Sequence, residues 1–95
     1  MAAYIVFIRE KTRDQSEMDA YTPEARASFE GRPVTIHALY GHQEVLEGPE
    51  NEGVVIISFP SFEEAKAWYH SPAYREARQH RFKGADYRAI LVEGV

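Results

Sequence analysis

The side chains best suited to chemistry lie in the last third of this 95-residue sequence, where His80 and Arg81 follow the aromatic group Trp68, Tyr69 and Tyr74. An imidazole exchanges a proton near neutral pH, and a guanidinium holds a carboxylate or enolate through charge-assisted hydrogen bonds. His80 is therefore the candidate catalytic base and Arg81 the candidate anion holder. On a helix Tyr74, Arg78 and Arg81 share one stripe, while His80 falls with Ala73 and Ala77 on the neighbouring, more apolar one. A cationic Arg81 close in space would lower the imidazole pKa and favour the neutral base. The same pair also reads as ordinary cations near a helix C-terminus, where positive charge is favoured.

Trp68 and Tyr74, with Tyr69, Tyr21 and Phe29, can wall an aromatic pocket between helices and sheet, or can simply be the core. His37 and Tyr40 are further candidate ligand contacts. Three residues apart on a strand, they project to opposite faces unless a bend at Gly41 intervenes, and one of them should be buried. His37 and His42 lack the spacing of zinc ligands, and neither a His-x-His nor a His-Glu-x-x-His motif occurs. No metal site and no cofactor is expected. Asp86 can orient His80, although a short polar residue after a helix stop more often serves the turn. Glu44, Glu47, Glu50 and Glu52 read as solvated surface. The chain has no Gly-rich phosphate loop and no Gly-x-Ser-x-Gly.

The elements that must position these residues follow from periodicity and punctuation. Ala3 to Ile8 is an apolar, β-branched run and predicts strand one. From Asp14, Met18, Tyr21, Ala25 and Phe29 recur at helical spacing up to Gly31. Pro23 sits inside this stripe, and an internal proline costs about 3 kcal/mol. The expectation is a broken first helix, with Thr22 capping a new segment. Pro33 to Tyr40 predicts strand two, continuing with a bend at Gly41 to Leu46, and Val54 to Phe59 predicts strand three. Ser61 with Glu64 marks the start of a second helix, which Ser71-Pro72 divides. Gly84 ends it, and Tyr87 to Val92 is the last strand.

The order β-α-β-β-α-β predicts a ferredoxin-like α+β domain spanning residues 1–95: a four-stranded antiparallel sheet with two broken helices on one face. Strands one and three, central in this topology, are continuously apolar, as strands buried on both faces are. The helices cover only one face. A second copy, sheet against sheet, is the simplest cover for the other, so a homodimer is expected.

Composition agrees with a small globular domain: 44% hydrophobic, 27% charged, net charge −4. An acidic chain without a basic aromatic surface motif is a poor binder of nucleic acid or anionic membrane. There is no cysteine, which removes disulfides and thiol nucleophiles. Met1 to Ile8 lacks a positive leader and runs into Arg9-Glu10-Lys11, so neither signal peptide nor membrane span is read there and a cytoplasmic location is expected.

The stretches Glu44 to Gly48, Val54 to Pro60, Ala67-Trp68-Tyr69-His70-Ser71-Pro72-Ala73-Tyr74 and Leu91 to Gly94 resemble, in order, the domain of unknown function 1330 family. The chain departs from the commoner pattern in a shorter first helix and in the charged Arg9-Glu10-Lys11. The resemblance implies a ferredoxin-like protomer and a dimeric α+β barrel. Its superfamily includes cofactor-free monooxygenases of aromatic substrates, haem-dependent enzymes, lactone isomerases and ligand-sensing domains, so the fold alone assigns no reaction. Three functions follow as expectations. The first is a cofactor-free enzyme acting on a small anionic or aromatic metabolite, the second a non-catalytic ligand-binding or structural dimer, the third a haem-binding protein.

Overall fold

Alternation along the first strand sets the architecture. In the computed structural model, which describes residues 1–95, β1 (Ala3–Thr12) buries Ala3, Ile5 and Phe7 and leaves Tyr4, Val6 and Ile8 half-exposed. β1 pairs antiparallel with β3 (Gly53–Phe59) on one side and β4 (Ala85–Glu93) on the other, and β2 (Thr35–Leu39) completes the order β2-β3-β1-β4. Register carries the alternation across the sheet. Ile5 stands beside Ile57 and Leu91, and Phe7 beside Val55 and Ala89, on the face covered by helices. Val6 stands beside Ile56 and Ile90 on the other face, which no element of the chain covers.

Three helices lie on the first face: α1 (Gln15–Ser28), α2 (Phe62–Tyr69) and α3 (Pro72–Gly84). Trp68 is the hub of the core. It stacks on Phe29 at 4.9 Å and Phe59 at 5.6 Å and meets the edge of Phe7, while its indole N–H donates to Ser28 Oγ at 3.0 Å. With both its π faces and its one donor satisfied, loss of this side chain should cost about 3–5 kcal/mol. No helix is long and apolar enough to cross a membrane.

The ferredoxin-like α+β architecture agrees with the expectation, and so does the break in the second helix. Ser71 caps α3, accepting from the Tyr74 N–H at 3.3 Å, with Pro72 in the first turn. The break expected at Pro23 does not occur. α1 is one helix with Pro23 inside it, and Thr22 turns its hydroxyl back to the Met18 carbonyl at 3.1 Å instead of capping a new segment. Pro23 and Asp19, whose carbonyl loses its partner, are both exposed, so water replaces the missing bond.

Strand two is also shorter than expected. It ends at Leu39 because Tyr40 adopts a left-handed φ of 53° and gives its N–H to the Val54 carbonyl, after which residues 41–52 form no strand. The bulge falls at His37, between Ile36 and Ala38. β1, in contrast, runs past Ile8 through the charged residues to Thr12, because β4 offers a pairing partner along that length. α3 passes into β4 without a loop. Arg13 closes the helix end, donating to the Phe82 and Lys83 carbonyls at 2.6 and 3.2 Å and pairing with Asp86 at 2.8 Å. Asp86 therefore serves Arg13 and not His80.

Candidate functional site

α1 packs chiefly on α3 and stands away from β2 and β3, which opens a cleft of about 280 Å³ between α1 and the sheet. Tyr21, Ala25 and Phe29 wall it from α1, and Phe7, Val55, Ile36 and Leu39 from the sheet. Its size suits a small metabolite. Although the chain is acidic overall, no Asp or Glu lines this cleft, and its only charged lining residues are Arg9 and Arg26.

The polar end of the cleft is built from strand termini. The left-handed turn at Tyr40 folds its ring across Gly53, where a Cβ would come within 2.4 Å of the ring, so the glycine makes this close approach possible. The Tyr40 hydroxyl pairs with the Tyr87 hydroxyl from β4, and the Arg9 guanidinium lies over the Tyr40 ring at 4.6 Å. Arg9 is held in turn by Glu52 at 3.2 Å. Burial, followed by the bond to Tyr40, pushes the Tyr87 pKa well above the ordinary phenol value, so this hydroxyl stays neutral and able to donate.

Behind the aromatic wall lies Arg81, 3% exposed, and it forms no ion pair. Its guanidinium carbon is 5.1 Å from the Tyr87 and Phe82 rings and 5.4 Å from the Phe7 ring. It donates to the Tyr69 hydroxyl at 3.4 Å, and its Nε has no partner. Buried cations are normally paired with acids, so this one is held at a cost in solvation. Beside it the fully buried Tyr74 hydroxyl is 2.7 Å from that of Tyr21. Burial raises the pKa of both phenols, and they too are neutral donors at physiological pH.

The expected catalytic pair is separated. His80 turns toward α1, with Nδ1 2.8 Å from Glu17 and Nε2 3.1 Å from Glu24, and it does not line the cleft. Hydrogen bonding to Glu17, followed by the charge of Glu24, outweighs partial burial and raises the imidazole pKa. Arg81, which would lower this pKa if it lay close to the ring, turns from α1 into the interior and is not among the groups acting on it. With both ring nitrogens turned to carboxylates of α1 and neither facing the cleft, His80 is not placed to take a proton from a ligand bound there.

Trp68 lies in the core and does not line the cleft, which it meets through the rings of Phe29 and Phe7. Tyr74 reaches it only through Tyr21. Tyr40 lines it directly. His37 lies on the opposite sheet face, where it bonds Ser58 Oγ at 2.7 Å and tilts against Tyr4, so it and Tyr40 do project to opposite faces. Neither is buried, because β2 is an edge strand and its outer face is bare.

Arg9 and Tyr87 were not among the residues that sequence reasoning placed at the site. The signal was present in β1, whose alternation Ile5, Phe7, Arg9 carries an arginine onto the helix side, but Tyr87 stands opposite Arg9 only through the β1–β4 register. Two other hollows differ in character. One of about 310 Å³ lies between α2 and β4, beside Tyr69 and Lys66. The other, about 600 Å³, lies on the bare sheet face beneath the exposed acidic connection between β2 and β3.

The family described as domain of unknown function (DUF1330) matches residues 2–95. No curated protein matches the sequence. Among solved structures, a protein of unknown function from Rhodopseudomonas palustris is 20% identical, with a TM-score of 0.78 over 99% of this chain and 82% of that one. A dimeric protein of unknown function with a ferredoxin-like fold from Bacteroides fragilis is 11% identical, with a TM-score of 0.69 over 98% and 96% of the two chains. SnoaB, a cofactor-independent oxygenase from Streptomyces nogalater, is 9% identical, with a TM-score of 0.63 over 99% and 93%. At these identities the likeness is one of fold. The match over nearly the whole length makes this chain a member of the DUF1330 family, and the sheet order and helix placement described above give it a ferredoxin-like fold.

Proposed function

We propose that the protein is a cytoplasmic homodimer that binds a small, largely apolar molecule carrying one carbonyl, carboxylate or phenolic oxygen in the cleft between α1 and the sheet. The observation that carries this reading is the lining itself: an acid-free, aromatic cleft with Arg9, Tyr40 and Tyr87 together at one end and Arg26 on its α1 wall, in a chain of net charge −4. The cleft faces away from the bare side of the sheet, so dimerisation leaves it open.

Trp68 is the only tryptophan and stacks on the cleft residue Phe29, so its fluorescence should report binding. Titration with substituted benzoates and phenols should give saturable changes that Ala25→Phe, which fills the cleft without adding a second indole, abolishes. A flat response across such a panel would sink the proposal. The dimer rests on the apolar row Val6, Ile56 and Ile90. Light scattering at micromolar concentration should give about twice 10.9 kDa, and Val6→Asp should reduce the mass toward that of one chain. A wild-type monomer would remove this part of the reading.

The enzymatic reading is the second one, and it is supported by the uncompensated charge of Arg81, which would favour a developing oxyanion in a bound substrate. It does not use His80 as base. A haem role has no support from the cleft, since no histidine lines it.

A further inference from the structure

The hydrogen bonds beside Arg81 have a direction. A guanidinium carries five N–H donors and no acceptor, so neither Tyr69 nor Tyr74 can donate to it. Tyr74 is 0% exposed, and the one acceptor within reach of its hydroxyl is the Tyr21 oxygen at 2.7 Å. Leaving a buried O–H unpaired costs about 1–3 kcal/mol, whereas Tyr21 sits in the cleft wall, where its own proton can meet water or a ligand. The arrangement that satisfies both hydroxyls has Tyr74 donating and Tyr21 accepting. The Tyr21 proton then points away from Tyr74.

We infer that the hydroxyls of Tyr74 and Tyr21 form a relay, polarised by the unpaired charge of Arg81 nearby, that presents one oriented hydrogen-bond donor to the cleft and selects oxyanionic ligands, such as phenolates, enolates and carboxylates, over their protonated forms. The inference deepens the proposed function and rests on the same cleft. Three features strengthen the donor. The chain of hydroxyls is cooperative, the charge behind it is not neutralised by any acid, and the setting is aromatic and poorly screened. Arg9 and Arg26 add positive potential from the cleft wall, and Glu52 faces Arg9 from outside it. The Tyr40–Tyr87 pair also leaves one proton over, but neither of those hydroxyls is fully buried, so its direction is not fixed and Tyr21 is the donor whose proton the fold aims.

The probe is 4-nitrophenol, whose ionised form absorbs in the visible, with 4-nitroanisole as the analogue that cannot ionise. In the wild-type protein the bound nitrophenol should titrate about one pH unit lower than the free compound, meaning that the phenolate binds about tenfold tighter than the phenol. Tyr21→Phe should cut that preference to about threefold or less. Arg81→Met should do the same from a residue that does not line the cleft. Binding of both compounds with no displacement of the titration, or a displacement that survives intact in Tyr21→Phe, overturns the relay and leaves the cleft reading standing. Failure of both compounds to bind overturns the two together. Should Arg81→Met not fold, Tyr21→Phe alone decides.

Discussion

His80 and Arg81 are consecutive residues of α3 with opposite surroundings. A step of one residue turns the side chain by about 100° around a helix, which here carries it from the α1 interface to the interior. His80 meets two carboxylates and remains about one-third exposed, so its charge is matched and hydrated. Arg81 is buried among aromatic rings with no acid to match it. The matched charge is what a stable helix pair selects. The unmatched one carries a solvation cost that no ion pair offsets, and under the proposed function that cost maintains the positive field behind the cleft.

The largest effect that can test this contrast comes from inverting the charge at position 81. Arg81→Glu places an unpaired acid among phenols and rings, and should cost about 3–5 kcal/mol in urea denaturation, with the new carboxyl driven toward protonation. Arg81→Met keeps the stem and removes the buried charge, and should be neutral or stabilising by about 1–4 kcal/mol. A loss of more than about 1 kcal/mol on Arg81→Met would make Arg81 a structural residue and remove its contrast with His80.

At position 80 the expected effect is smaller and depends on pH. The folded-state pKa of His80 lies above 6.5, chiefly through its bond to Glu17, so the folded protein binds this proton more tightly than the unfolded chain. The stability it contributes is complete below about 6.5 and disappears as pH rises through the higher folded value. The melting temperature of the wild type should therefore fall toward that of His80→Gln between pH of about 6 and about 9, and the difference should shrink in high salt. Glu24→Gln should weaken this dependence less than Glu17→Gln, because Glu17 makes the dominant bond. Equal pH profiles for wild type and His80→Gln would show that the ion pairs contribute nothing.

Much of the fold was legible because its signals are local. Ser71-Pro72 divides the second helix through interactions that span three residues, and the apolar runs of β1 and β3 declare strands by their own composition. Pro23 was misleading for a tertiary reason. Whether a proline ends a helix depends on what the freed carbonyl faces, and here it faces water while α1 is held along α3.

By itself the sequence determined the element order, the single uncovered face of the sheet and the aromatic character of the helix side, since each follows from residue type and spacing within one element. Only the tertiary structure decided which polar groups meet. Tyr21 and Tyr74 are 53 residues apart, Tyr40 and Tyr87 are 47 apart, and His80 and Glu17 are 63 apart. Those pairings depend on strand register and on the rotation of α3 against α1, where a shift of one residue would send a side chain to another face. That sensitivity is why His80 and Arg81, adjacent in the chain, could be read as one site when the fold assigns them to two.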